Sequence, residues 1–374
     1  MQTKSQTESS VPLRILIPVS GFGRSGGYRV LSELANHWIL EGAKVTFLAD
    51  HRTEPPYFPT TADVKLFNKH GVVLTPERTG ETFQKQGNGL SIYFGMWRAL
   101  TQLSSEYDII LANHSLTTFP IALARDKKAK KFYYIQAYEP GYYELEKGFK
   151  SRILKHIAEL SYRLRFKKIV NSPIYLDYRS IKASAWIPPG IDMRIFHRRL
   201  DEPASQPDGI MRIGVIGRGE PSKGLIYALQ AFEALAKLDS KCELHVAYGN
   251  LPPGWTHPNC KVVTPQNDRE LSDFYRSLDA LIAPGIVQLG ACHYPVLEAM
   301  ACGTPVVTTG YLPADQTNAW IVPVKNPEAI VSAIRSIKQQ SIAERRARLD
   351  LAAQAVNDFS WSKVSNRFLT LLTN

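Results

Sequence analysis

Arg218 and Lys223 stand on one short stretch, "RGEPSKG", directly after the apolar run "MRIGVIG" and just before the helical pattern "LIYALQAFEALAKL". Two cations on a strand-end loop beside a helix N-terminus are suited to a diphosphate that departs with extra negative charge. The alternative is a pair of solvated bases on a surface loop. A second chemistry lies in "HYPVLEAMACGTPVV", where Glu298 is the lone acid among Val296, Leu297, Ala299, Met300 and Ala301. Pro295 is a favoured opener for that helix and Gly303 a favoured end. A carboxylate in a first helical turn gains from the helix dipole, so capping is one reading. Burial of an unpaired acid is costly, so a pair of ligand hydroxyls that satisfies it is the other.

The first half carries its own candidate loop. "GFGRSG" (Gly21, Gly23, Gly26) follows a strand, opens a helix and has Asp50 at the end of the next strand, which is most of a dinucleotide fingerprint. A nicotinamide-dependent oxidoreductase is therefore a rival reading, although it leaves the loops of the second half unexplained. Gly26 and Gly27 at the helix start suit any anion. His114, in "LANHSLTTF", ends another strand, where a histidine serves as a cap, a structural residue or a catalytic one. No D-x-D occurs in the chain, so a carboxylate-held metal is not expected, and no cofactor is called for. Cys242, Cys260, Cys292 and Cys302 share no C-x-x-C spacing and read as buried free thiols.

These residues need elements to hold them. "RILIPVS", "KVTFLAD", "YDIILAN" and "KKFYYIQ" in the first half, and "MRIGVIG", "CELHVAY", "KVVTP", "ALIAPG", "PVVTTG" and "AWIVPV" in the second, alternate with helical stretches. Nearly uniform apolar strands between helices imply parallel sheets covered on both faces. Two doubly wound α/β domains follow, with the join near "WIPPGIDMRIF", where prolines and a glycine stop both helix and strand. The expected division is a flexible tail over 1–12, a first domain over 13–195, a second over 196–358, and a C-terminal helix over 359–374 that crosses back. Ligands in such folds sit at the carboxyl ends of the strands, and two such domains facing each other make one deep cleft.

The net charge of +11 is unevenly shared: residues 1–197 hold 27 Lys and Arg against 17 Asp and Glu, while residues 198–374 hold 18 against 17. Its densest part is Lys147 to Lys168, where Phe149, Ile153, Ile157, Leu160 and Leu164 recur at helical spacing among basic residues. Such a helix suits an anionic membrane surface; the alternative is a solvated helix packed on its own domain. It lacks the aromatic platform or groove-reading motif of a nucleic-acid binder. Without a long apolar window or a signal-peptide pattern, the chain reads as cytoplasmic, with peripheral contact to the membrane as a further expectation.

"HYPVLEAMACGTPVVTTG", "GRGEPSKG", "IPPGIDMRIF", "AWIVPVKNPEAIVSAI" and "FSWSKVSNRFLTLL", in this order and spacing, resemble the retaining nucleotide-sugar glycosyltransferases of family GT4, which have the GT-B fold. The likeness is strong over residues 187–374 and fainter over 14–140. It implies that Arg218 and Lys223 hold the diphosphate of a nucleoside-diphosphate sugar and that Glu298 binds the ribose. Gly26 and Gly27 then sit over the donor phosphates, the N–H groups of Val296 and Leu297 face the sugar or phosphate, and His114 stands close to the anomeric centre. The family's usual first glutamate, eight residues before the second, is here Gly290, with His293 and Tyr294 nearby as substitute contacts. That gap, the tyrosine before "P-x-L-E" and "FYYIQAYEPGYY" resemble a bacterial subgroup using dTDP-rhamnose, a sugar with one hydroxyl fewer. The implied acceptor is a saccharide or lipid-linked saccharide of bacterial surface polysaccharide, such as the O-antigen of lipopolysaccharide. A catalytically silent nucleotide-sugar binding protein is the remaining alternative, suggested by Gly290.

Overall fold

Ile15, Leu16 and Ile17 of β1 (Arg14–Pro18) have no exposed surface, as the apolar run requires of a strand covered on both faces. The chain, a computed structural model that describes residues 11–74, 89–124, 128–145, 148–199 and 209–374, builds two units. One comprises residues 1–187 and 365–374, and the other residues 188–364.

In the first unit β1 is followed by α1 (Gly26–Leu40), β2 (Lys44–Asp50), β3 (Asp63–Phe67), β4 (Val73–Leu74), α2 (Gly89–Leu103), β5 (Ile109–Ala112), α3 (Ser115–Leu123), β6 (Lys130–Ile135), α4 (Glu139–Leu145), α5 (Phe149–Ser161), β7 (Lys167–Val170) and β8 (Ala185–Trp186). The strand order is β4-β3-β2-β1-β5-β6-β7-β8, and β4 alone pairs antiparallel. Successive strands run outward from β1 to β4, and the chain then returns to β5 on the other side of β1. The loops after β1 and β5 therefore flank the point where the winding reverses, the usual place for a ligand in an open α/β sheet. Asn113 ties the two together, its Nδ2 donating to the Pro18 carbonyl at 2.8 Å.

The second unit contains β9 (Met211–Ile216), α6 (Leu225–Leu238), β10 (Cys242–Ala247), β11 (Cys260–Val263), α7 (Asp268–Arg276), β12 (Ala280–Ala283), α8 (Tyr294–Ala301), β13 (Val306–Thr308), β14 (Trp320–Ile321), α9 (Pro327–Gln339) and α10 (Ile342–Val356). Its order, β11-β10-β9-β12-β13-β14, is parallel throughout, and its winding reverses between β9 and β12. Ile213, Val215, Phe232, Leu244, Val246 and Ile334 form the core between sheet and helices. The last helix, α11 (Trp361–Thr373), begins in this unit, but Ser365–Asn374 belong to the first. There Phe368 is fully buried, edge-on to Trp38 at 5.5 Å and to Tyr134 at 4.8 Å. The likeness of both units to one another, and of each to the expected winding, follows from the same alternation of apolar strand and amphipathic helix.

Four strands were not expected: β3, β4, β7 and β8. β7 also corrects the reading of Lys147–Lys168 as one helix. The helix stops at Ser161, the chain turns, and Lys167 and Lys168 enter the sheet, with Lys168 buried and its Nζ on the Leu164 carbonyl at 3.1 Å. Lys147 and residues 1–10 lie outside the described residues. The buried face of α5 consists of small residues, Ser151, Ala158 and Ser161, whereas Phe149, Ile153 and Leu160 are exposed. Among the described residues no helix is long and apolar enough to cross a membrane.

Candidate functional site

The sequence candidates fall into two sets, one at the reversal point of each sheet. In the second unit, β9 ends at Ile216 and Arg218 follows, exposed, with Nη2 2.8 Å and Nε 3.2 Å from the two oxygens of Glu220. This pairing, foremost its hydrogen bond, lowers the pKa of the Glu220 carboxyl. Pro221–Lys223 make a 3-10 turn, closed by Gly224 at φ +69°. A Cβ on Gly224 would stand 2.1 Å from the Pro284 carbonyl oxygen, so only glycine lets the β9 loop touch the β12 loop here. The Ile286 N–H also donates to the Ser222 carbonyl at 2.9 Å. Locked this way, the cation-bearing loop is held against the segment that leads into α8.

That segment brings His293, the N-cap of α8, next to both cations. Its ring lies 4.8 Å from that of Tyr311, and its buried Nδ1 has no hydrogen-bond partner. Burial, then the charges of Lys223 and Arg218, hold its pKa well below the usual value, so the imidazole is neutral at neutral pH. Lys223 is itself half-buried, and burial followed by the Arg218 charge lowers its pKa. Two cations and a neutral imidazole on the loops after two neighbouring strands form a preassembled anion site.

Tyr294 and Pro295 open α8. The Val296 and Leu297 amides do not point outward, because both donate to the His293 carbonyl, at 3.0 and 3.2 Å, in the first turn of the helix. Glu298 stands beyond that turn, which contains no acid, so dipole capping does not account for it. It is 3% exposed, and its Oε2 accepts from the Tyr275 hydroxyl at 2.8 Å. The acid was read as lacking a protein partner; α7 supplies one. Burial, then the charge of Glu298, raises the Tyr275 pKa well above its usual value, so this phenol remains a donor. Nothing in the sequence marks Tyr275 as that partner, since helical periodicity alone accounts for its burial. Gly290, in the place of the family's first glutamate, has φ +81°.

In the first unit Gly26 and Gly27 open α1 behind Ser25, which makes no side-chain cap. The Gly27 carbonyl accepts from Gln136 Nε2, beyond the end of β6, at 3.3 Å. Asp50, the acid of the dinucleotide reading, is buried and held bidentate by Arg52 at 2.7 and 2.8 Å, which leaves it poorly placed for a ribose. His114 is the N-cap of α3; its Nδ1 accepts from the Leu116 N–H at 3.2 Å and its Nε2 lies 3.4 Å from Glu139. Glu139 also receives Ser115, through N–H at 3.0 Å and hydroxyl at 2.5 Å. Tyr93, whose pKa burial pushes up to about 12, feels the same carboxylate. Glu139, Ser115 and Glu220 were not singled out from sequence; Glu139 lies within the quoted "YYIQAYEP", and only folding brings it beside His114. All four cysteines are free, and burial pushes the Cys242 and Cys302 thiols up to about 12.

Comparison with known proteins bears on both units. The profile of the family "glycosyl transferases group 1" matches residues 211–340. The D-inositol 3-phosphate glycosyltransferase of Saccharomonospora viridis is 26% identical over 213 residues, which are 50% of this chain and 48% of that protein. The chain thus spans about half the length of the curated relative it matches. Among solved structures, Anabaena HepE in complex with UDP-glucose is similar at a TM-score of 0.67, with 15% identity over 96% of this chain and 99% of that one. A glycosyltransferase from Rickettsia africae is similar at 0.65, with 14% identity over 97% and 98%. Likeness over nearly the whole of each chain gives this protein the GT-B fold.

Proposed function

Residues 211–340 are a domain of the glycosyl transferases group 1, and from that premise we propose that the protein transfers a sugar from a nucleoside diphosphate to an acceptor hydroxyl. The observation that carries this reading is the joining of the loops after β9 and β12, which bear Arg218, Lys223 and His293, with the buried acid Glu298 on the helix that His293 caps. Arg218 and Lys223 hold the diphosphate and stabilise the charge that grows on it as the glycosidic bond breaks. Binding costs Arg218 its exposed contact with Glu220, worth little in water. Glu298, oriented by Tyr275, takes the ribose hydroxyls, and His293 and Tyr294 contact the donor where other members carry a glutamate. Within the first unit Gly26 and Gly27 are suited to an anion, and His114 to a sugar hydroxyl. The configuration at the anomeric carbon is retained, through a transition state that resembles an oxocarbenium ion.

The donor is dTDP-rhamnose in this reading, supported by Gly290, which offers no carboxylate to a hydroxyl that a 6-deoxy sugar lacks. The acceptor is a saccharide or lipid-linked saccharide of a bacterial surface polysaccharide. Exposed Phe149, Ile153 and Leu160 beside Lys150 and Arg152 support peripheral contact of α5 with an anionic membrane.

The test is titration with dTDP, UDP, GDP and NAD(H), followed by turnover assays with the matching nucleotide sugars. Binding of a nucleoside diphosphate and turnover that vanishes in Arg218→Ala, Lys223→Ala and Glu298→Ala support transfer. Tight NAD(H) binding without nucleoside diphosphate sinks it, and binding without turnover reduces the protein to a silent receptor. Failure to bind anionic vesicles at low salt removes the membrane contact.

A further inference from the structure

Glu139 accepts four contacts from its own protein. Oε1 takes the Ser115 N–H at 3.0 Å and the Tyr133 hydroxyl at 3.4 Å; Oε2 takes the Ser115 hydroxyl at 2.5 Å and lies 3.4 Å from His114 Nε2. A carboxylate offers about four lone-pair directions, so little acceptor capacity is left for a substrate hydroxyl. Its side chain is 16% exposed, against 44% for His114. The accessible member of the pair is the imidazole.

The imidazole is constrained at both nitrogens. Nδ1 accepts the Leu116 N–H at 3.2 Å, and a ring nitrogen that accepts carries no proton. In the neutral ring the proton is then on Nε2, the nitrogen that stands against Glu139. The carboxylate and the first turn of α3 thus select the same tautomer from opposite sides. Ser115, donating twice to Glu139, holds the carboxylate in place.

We infer that Glu139 is a positioning residue for His114: it fixes the ring's orientation and its Nε2–H form, so that His114 meets a substrate oxygen only through the Nε2–H it shares with Glu139, as a donor and not as a base. The kinetic consequence rests on the transferase reading above; the tautomer does not.

Two measurements decide the matter. In protein labelled with 15N-histidine, with His114→Ala assigning the signal, wild type shows His114 unprotonated at Nδ1 and protonated at Nε2, and Glu139→Gln shifts it towards a mixture of tautomers. A wild-type ring protonated at Nδ1 overturns the inference without any variant. In turnover assays Glu139→Gln lowers kcat by about 10- to 100-fold and leaves KM for donor and acceptor within about threefold. The same change made in His114→Ala costs nothing further, as expected of a group that acts through the ring. Additive losses, or a rise in acceptor KM at constant kcat, show direct contact with substrate and overturn it. If wild type turns over no nucleotide sugar, the transferase reading falls, and the tautomer measurement still tests this one.

Discussion

The two units wind their sheets the same way and spend the reversal point differently. In the second unit the loops after β9 and β12 gather the cations Arg218 and Lys223 beside a His293 that burial and their charges keep neutral. In the first, the loop after β5, at the reversal, and the loop after the neighbouring β6 gather His114, Ser115 and Glu139, a set that makes polar contacts among its own members. Topology fixes where a ligand sits. Side chains fix whether the place waits for an anion or positions a neutral hydroxyl, and in the second unit two cations share the one carboxylate of Glu220.

The largest effect that tests this contrast is on nucleotide affinity. A charge-assisted hydrogen bond is worth about 1.5–3 kcal/mol, so Lys223→Ala weakens nucleoside-diphosphate binding by about 10- to 100-fold. His114→Ala leaves that affinity nearly unchanged by calorimetry, and equal losses from both substitutions would erase the distinction between the units. Next comes Tyr275→Phe, which strips the buried Glu298 of a donor at 2.8 Å. It destabilises the fold by about 1–3 kcal/mol, read as a lower melting temperature, and no comparable cost attends loss of the exposed Glu220 partner of Arg218.

A third test uses pH. The folded pKa of His293 is depressed below the unfolded value of 6.5, so the unfolded chain binds the extra proton. The stability this contributes is complete above about pH 6.5 and falls by up to about 1.4 kcal/mol per pH unit as the solution is acidified below it. Denaturant midpoints of His293→Asn should lose that part of the acid dependence, and identical profiles would show that the ring is not held neutral. The smallest effect belongs to Gly290→Glu. At φ +81° a side chain costs about 1–2 kcal/mol, so the glutamate strains the loop and fails to raise turnover.

How much of this was legible varies by element. Most of the ten strands read from sequence are apolar runs bounded by turns, the pattern that burial on both faces dictates, and β11, with two exposed residues, is read from its valines. β3, with two exposed residues in "DVKLF", lacks that signature, and β4 and β8 are two residues each. β7 was hidden because Leu164 keeps the helical spacing of Leu160 past the turn, and no glycine or proline marks the break. Arg218, Lys223 and Glu298 draw attention by type and neighbourhood. Their partners do not: Tyr275 sits 23 residues from Glu298, and Ser115 sits 24 from Glu139, distances that only the packed helices close.

Phe368 has a consequence for biosynthesis. Wedged between Trp38 of α1 and Tyr134 of β6, it completes a core whose other members are made long before it, with the whole second unit between. The first unit therefore cannot finish its packing until the chain has been made through the whole of the second and on to Phe368, and the nascent protein carries that hydrophobic seam incomplete in the meantime.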